Sequence, residues 1–143
     1  MVKNLSVTVL KNQNIDKKFI HKIVKELKKE LEFNLTGIII NIISSEEIVR
    51  INKKYLNHNY STDIITFNYS ESEKLLDGEI FISVDDASVN AKKYKVNLKQ
   101  EITRLVIHGF LHLLGYDDQS QKNKTVMKKL ENQLYNRYRL LYR

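Results

Sequence analysis

The chain has 143 residues, no cysteine and no proline, and 24 Lys and Arg against 17 acids, for a net charge of +7. That length fits one domain with a real core, and the lack of cysteine excludes both a disulfide framework and a thiolate metal site, leaving nitrogen and oxygen as the only metal ligands. No apolar run reaches the length of a membrane span and no signal peptide is visible, so the expectation is a cytoplasmic protein, and its pI near 9.5 favours a polyanionic partner.

Leu5 to Leu10 alternates as a strand does. Asp16 is an N-cap for a first helix, with Phe19, Ile20, Ile23, Val24, Leu27 and Leu31 as its apolar stripe and lysines opposite. Gly37 to Ile43 is a continuous apolar run, which predicts a strand covered on both faces. Ser44 and Glu47 make a capping box before a second helix with Ile48, Ile51 and Tyr55 inward. Leu56 to Asp63 has no periodicity and reads as a loop. Ile64 to Tyr69 is a third strand, with Ile65, Phe67 and Tyr69 on one face. Ser70 to Asp77 is a polar, hairpin-like connection to a fourth strand, Glu79 to Val84, with Ile80, Ile82 and Val84 on one side.

A helix covers Asp85 to Tyr94, and Asn97 with Gln100 is a second capping box. That box opens the helix carrying His108 and His112. The last helix begins near Ser120, with Met127, Leu130, Leu134, Tyr138 and Leu141 as its buried stripe. Its outer face is basic through Lys122, Lys124, Lys128, Lys129, Arg137 and Arg139. The order β-α-β-α-β-β-α-α-α predicts an α/β (α+β) fold over residues 1–143 as a single domain. The expected architecture is a small mixed four-stranded sheet packed on helices, with the histidine helix buried beneath it.

The chemistry concentrates in His108-Gly-Phe-Leu-His-Leu-Leu-Gly-Tyr-Asp-Asp118. Histidines four apart on a helix share one face, so two imidazoles can bind one ion from a single rigid element. Gly115 can end the helix in a left-handed conformation, which lets a carboxylate just beyond it return to the same ion. The register favours Asp118, because His-x3-His-x2-Gly-x2-ligand is the metzincin spacing. Gly109 stands where those peptidases carry their glutamate. It serves either close helix packing or room for substrate beside the metal. Three protein ligands, His108, His112 and Asp118, leave a fourth zinc position open, the mark of a catalytic site.

These residues resemble the YbeY family, the bacterial endoribonucleases of ribosomal RNA maturation, whose signature is His-Gly-x-Leu-His-Leu-x-Gly-Tyr-Asp followed by His. Supporting motifs are Asn52 with Tyr55, Thr62 to Phe67, and Gly78 to Ile80. Three positions depart from the family: Leu56 replaces an arginine, Ser61 a proline and Asp118 a histidine. The resemblance implies a zincin-like fold and one Zn2+ ion. It also implies cleavage of single-stranded RNA in 3′-end maturation of small-subunit ribosomal RNA and in ribosome quality control. The catalytic expectation falls on His108, His112 and Asp117, with the general base left between Asp117 and the metal-held water. His58, Asn59 and Arg104 are the polar or basic candidates for the missing arginine's part, and Lys128 and Lys129 are those for holding the RNA backbone. The alternatives are a metallopeptidase-like hydrolase of zincin type and a non-catalytic ribosome assembly factor.

Overall fold

The computed structural model describes residues 1–140; Leu141 lies outside the described residues. The chain forms β1 (Leu5–Val9), α1 (Lys17–Leu31), β2 (Asn34–Ile43), α2 (Ser45–Leu56), β3 (Ile64–Asn68), β4 (Leu75–Ser83), α3 (Val84–Tyr94), α4 (Leu98–Leu113) and α5 (Gln121–Tyr138). The four strands make one mixed sheet in the order β1-β2-β4-β3. β2 runs parallel to β1 and β4, and β3 pairs antiparallel with β4. Among the described residues no helix is long and apolar enough to cross a membrane.

The register puts Val7, Ile40 and Ile80 side by side, and Ile38, Ile42, Ile82 and Leu5 on the same face. All are buried, against Phe19, Ile20, Ile23, Val24 and Leu27 of α1 and the apolar residues of α4. Each such side chain contributes roughly 1.5–3 kcal/mol on leaving water. The Asp16 cap forms as expected, its carboxylate accepting the Lys18 N–H at 2.9 Å.

Four local expectations are corrected. First, β2 is covered on one face only: Ile38, Ile40 and Ile42 are buried while Ile39 is 39% exposed. Isoleucine at both parities hides an ordinary alternation. Second, β4 begins at Leu75, inside the expected connection, because Leu75 and Leu76 pair with Asn34 and Leu35 before a register shift between Leu35 and Gly37. Val84, expected in that strand, opens α3 instead. Third, α2 buries Ile48 and Asn52, whereas Tyr55 is 60% exposed. The Tyr55 ring meets Phe67 edge-on at 5.5 Å, and Phe67 meets Phe81 at 5.9 Å, an aromatic cluster on the sheet's second face. Fourth, the capping box of α2 is half formed. Ser44 Oγ accepts the Glu47 N–H, but the Glu47 carboxylate pairs with Arg50 at 2.5 Å.

Gly109 faces the sheet. A Cβ there would stand 3.0 Å from Ile80 Cδ1 and 3.2 Å from Ile64 Cδ1, so close packing, not room for substrate, accounts for this glycine. Helices α1, α2 and α3 end on Glu32, Asn57 and Lys95 in the left-handed conformation, with φ of 54°, 57° and 57°. Gly115, with φ 101°, turns the chain after α4 as expected.

Candidate metal centre

Helix α4 is anchored at its start by a complete capping box. The Gln100 N–H donates to Asn97 Oδ1 at 2.7 Å, and the Asn97 N–H to Gln100 Oε1 at 3.0 Å. From there the helix is buried on most of its surface. One stripe stays half-exposed: Arg104, His108 and His112, at four-residue spacing. The two imidazoles meet at this stripe. Their Nε2 atoms are 3.1 Å apart, with ring centroids at 4.7 Å.

The other nitrogen of His108 has a partner that the linear sequence does not advertise. Glu131 of α5 is 2% exposed and accepts the Nδ1–H of His108. Its second oxygen accepts from Arg104 at 3.3 Å. With Nδ1 committed to Glu131, the neutral form of His108 presents its Nε2 toward His112. Burial works against ionisation of Glu131. The His108 hydrogen bond and the charges of His108 and Arg104 outweigh it and hold the carboxyl below the ordinary glutamate value. Burial, and then His108, hold the His112 imidazole below its ordinary value, against the pull of Asp118, Glu131 and Asp117. That direction favours the neutral form of His112, the form that ligates a metal.

A buried polar chain continues from Glu131. Arg104 donates to Glu101 through Nε at 2.9 Å and Nη2 at 2.5 Å, and lies 3.9 Å from Asp63. Asn90 Nδ2 reaches Asp63 at 3.0 Å and Glu101 at 3.3 Å. Arg104, read from sequence as a substrate-binding residue, thus has its guanidinium directed at three carboxylates. Glu101 and Glu131 were missed. The available signal was position: Glu131 falls between Met127 and Leu134, on the apolar stripe of α5.

Beyond α4 the Gly115 N–H returns to His112 O and the Tyr116 N–H to Leu111 O, both at 3.0 Å. Asp117 Oδ1 accepts the Gln119 N–H and the Asn123 side chain, each at 3.0 Å. Those two bonds, the backbone one first, hold the Asp117 carboxyl below its usual range. Asp118 is exposed, near enough for its charge to act on His112. Among the described residues no group of three His, Cys, Asp or Glu converges on one point. The two imidazoles do fit a shared ion: two nitrogens at ~2.0–2.1 Å from a tetrahedral zinc stand roughly 3.3 Å apart, close to the separation found.

The remaining predicted site residues sit on α5 and on the loop after α2. Lys128 lines a cavity of about 210 Å³ with Glu101, Arg104 and Glu131, while Lys129 is exposed on α5. His58 stacks on Tyr60 at 5.1 Å and hydrogen-bonds its hydroxyl at 3.1 Å. Both line a cavity of about 270 Å³ with Leu56 and Thr66. Asn52 braces that loop: its Nδ2 donates to Tyr60 O at 2.9 Å, and its backbone carbonyl accepts the His58 N–H at 3.2 Å.

Fold and site together define a small α/β domain built around a largely buried helix that presents a half-exposed His-x3-His pair. The chain belongs to the YbeY family: the family model described as Endoribonuclease YbeY matches residues 2–139. The Endoribonuclease YbeY of Azobacteroides pseudotrichonymphae is 37% identical over 126 residues, covering 88% of this chain and 90% of its own. That of Chlorobium limicola is 40% identical over 106 residues, 74% of this chain and 73% of its own. The solution structure of TM1509 from Thermotoga maritima shares the fold, with a TM-score of 0.64 at 21% identity over 96% of this chain and 93% of that one.

Proposed function

We propose that the chain is a zinc-dependent endoribonuclease of single-stranded RNA, working in the cytoplasm on the 3′ end of small-subunit ribosomal RNA and in ribosome quality control. The observation that carries this reading is the pair of Nε2 atoms 3.1 Å apart, with His108 Nδ1 committed to Glu131, in a chain of this family. His108, His112 and Asp118 would hold the ion. When bound, zinc supplies a Lewis acid beside the scissile phosphate and acidifies water.

The chain's own residues do the rest. Glu131 orients His108 through Nδ1, which leaves Nε2 as the ring's metal-facing nitrogen. Arg104, tied to Glu101, holds Glu131 in turn and acts as a positioning residue. Asp117 is a weak general base, since the bonds that depress its pKa also lower its appetite for a proton. Lys128 and Lys129 supply phosphate contacts on α5. The metallopeptidase alternative lacks its acid, because the position after His108 is Gly109, packed against Ile80 and Ile64. The test is cleavage of a single-stranded RNA with and without chelator, beside a folded His108→Ala, His112→Ala double variant. Expected is loss of both zinc and cleavage in that variant, and rescue of chelated wild type by zinc. Cleavage that ignores the chelator refutes the metal reading. Binding without metal-dependent cleavage points to the assembly factor.

A further inference from the structure

Lysines recur along α1 on the side away from its core stripe. Lys18, Lys22, Lys25 and Lys29 step by four, three and four residues, which keeps them on one helical face. Lys28 stands beside the row, and the N-terminal residues lie against it. Together with Lys3 these side chains line a groove of about 630 Å³ that has no acidic residue in its walls. Met1, Val2 and Phe33 give the groove its apolar lining. A quarter of the chain's 24 basic residues thus stand around one depression. Among the described residues none of the six forms an ion pair. Elsewhere on the same helix charge is balanced, since Glu30 pairs with Arg137 of α5 at 2.5 Å. Lys28 and Lys29 also suit the C-terminal end of the helix dipole. Lys3, Lys18, Lys22 and Lys25 have no such local reason to gather.

We propose that this groove is a second track for RNA, gripping the sugar–phosphate backbone of the substrate away from the paired imidazoles. The proposal rests on the endoribonuclease reading. Lysine is a compact point charge that neutralises phosphate without reading sequence. The row from Lys18 to Lys29 spans about 16 Å at ~1.5 Å per residue, the rise of roughly five stacked nucleotides at ~3.4 Å each. Phe33, in the groove lining, stacks on Phe110 of α4 at 5.6 Å, and Phe110 is fully buried. The imidazole stripe meets α5 instead. Groove and metal centre therefore lie on different sides of α4, and only an RNA long enough to pass around the domain engages both.

The experiment compares wild type with K18Q/K22Q/K25Q/K29Q and with the same four positions changed to arginine. Binding of a long single-stranded RNA and of a short oligonucleotide is followed against salt, with cleavage of the short oligonucleotide and zinc content alongside. Expected is at least tenfold weaker binding of long RNA by the glutamine variant. Its slope of log affinity against log salt should fall by about 0.7 for each phosphate that is no longer neutralised. Short-substrate cleavage and zinc content stay unchanged, and the arginine variant keeps wild-type binding. An unchanged slope overturns the track and leaves the endoribonuclease reading standing. Equal loss in the arginine variant also overturns it, because charge would not be the cause. Loss of binding to anionic phospholipid vesicles, with RNA binding intact, assigns the groove to a lipid surface and overturns it too. A wild-type protein that neither binds nor cleaves RNA overturns both readings.

Discussion

Glu131→Gln is the most informative single change. It keeps side-chain size and reach and removes one charge at a position 2% exposed to solvent. Two charge-assisted hydrogen bonds, from His108 Nδ1 and from Arg104 at 3.3 Å, become bonds to a neutral acceptor. Bonds to charged groups contribute about 1.5–3 kcal/mol and neutral ones about 0.5–1.5, so the fold should lose about 1–3 kcal/mol. Arg104 is not orphaned, since Glu101 holds it at 2.5 and 2.9 Å. That keeps the loss below the ~3–5 kcal/mol of a broken buried pair, which Glu131→Ala should approach. The larger effect falls on the metal. A glutamine can present its NH2 to Nδ1 and drive the proton onto Nε2, where it blocks ligation. Loss of an outer partner of this kind costs about 10–100-fold in metal affinity. Zinc affinity is measured by competition with a chelating dye, and unfolding is measured in excess chelator to separate the two effects. A lower melting temperature with unchanged zinc affinity would refute the reasoning, leaving Glu131 with a purely structural part.

Asp118→Ala should lose zinc severely and Asp117→Ala should keep it, because Asp117 Oδ1 is already held by Gln119 and Asn123; the reverse order of dye-competition affinities would move the third ligand to Asp117. Leu56→Arg, restoring the family residue beside His58 and Tyr60, should speed RNA cleavage at constant zinc content, and no gain would mean that another residue fills that part. His21 accepts the Val2 N–H on Nδ1 at 3.1 Å, and burial, then the N-terminal charge, lower its pKa from 6.5. The neutral ring's contribution is therefore complete above pH 6.5 and lost as pH falls through the lower folded value. The protection factor of the Val2 amide, corrected for intrinsic exchange, should fall as the His21 ring takes up its proton, and a factor that stays constant through that titration would contradict it.

Much of this was legible from local pattern. The Asn97–Gln100 box, the Asp16 cap, the histidine spacing and the mixed sheet all rest on residues close together in the chain or on strong periodicity. What escaped depends on partners distant in sequence. The start of β4 is set by pairing with Asn34 and Leu35, which no run of Leu-Leu-Asp-Gly announces. The inward face of α2 is rotated because Tyr55 leans on Phe67 across the second face of the sheet. Glu131 gains its partners only from Arg104 and His108, 27 and 23 residues away on α4, whereas Glu101 sits one turn from Arg104 and its burial is set by packing. A buried charge is defined by its partner, and the partner is visible only in three dimensions.

The left-handed ends of α1, α2 and α3 bear on how this protein could be made more heat-resistant. A residue with a side chain costs roughly 1–2 kcal/mol in that conformation, and Asn57 tolerates it better than Glu32 or Lys95. Glycine at 32 and 95 would relieve that cost without replacing a core residue or an imidazole, less the extra freedom that glycine brings to the unfolded chain. The two positions close different helices, and effects at separated sites add. A chain with four glycines and no proline has thus left its simplest thermostabilising substitutions unused.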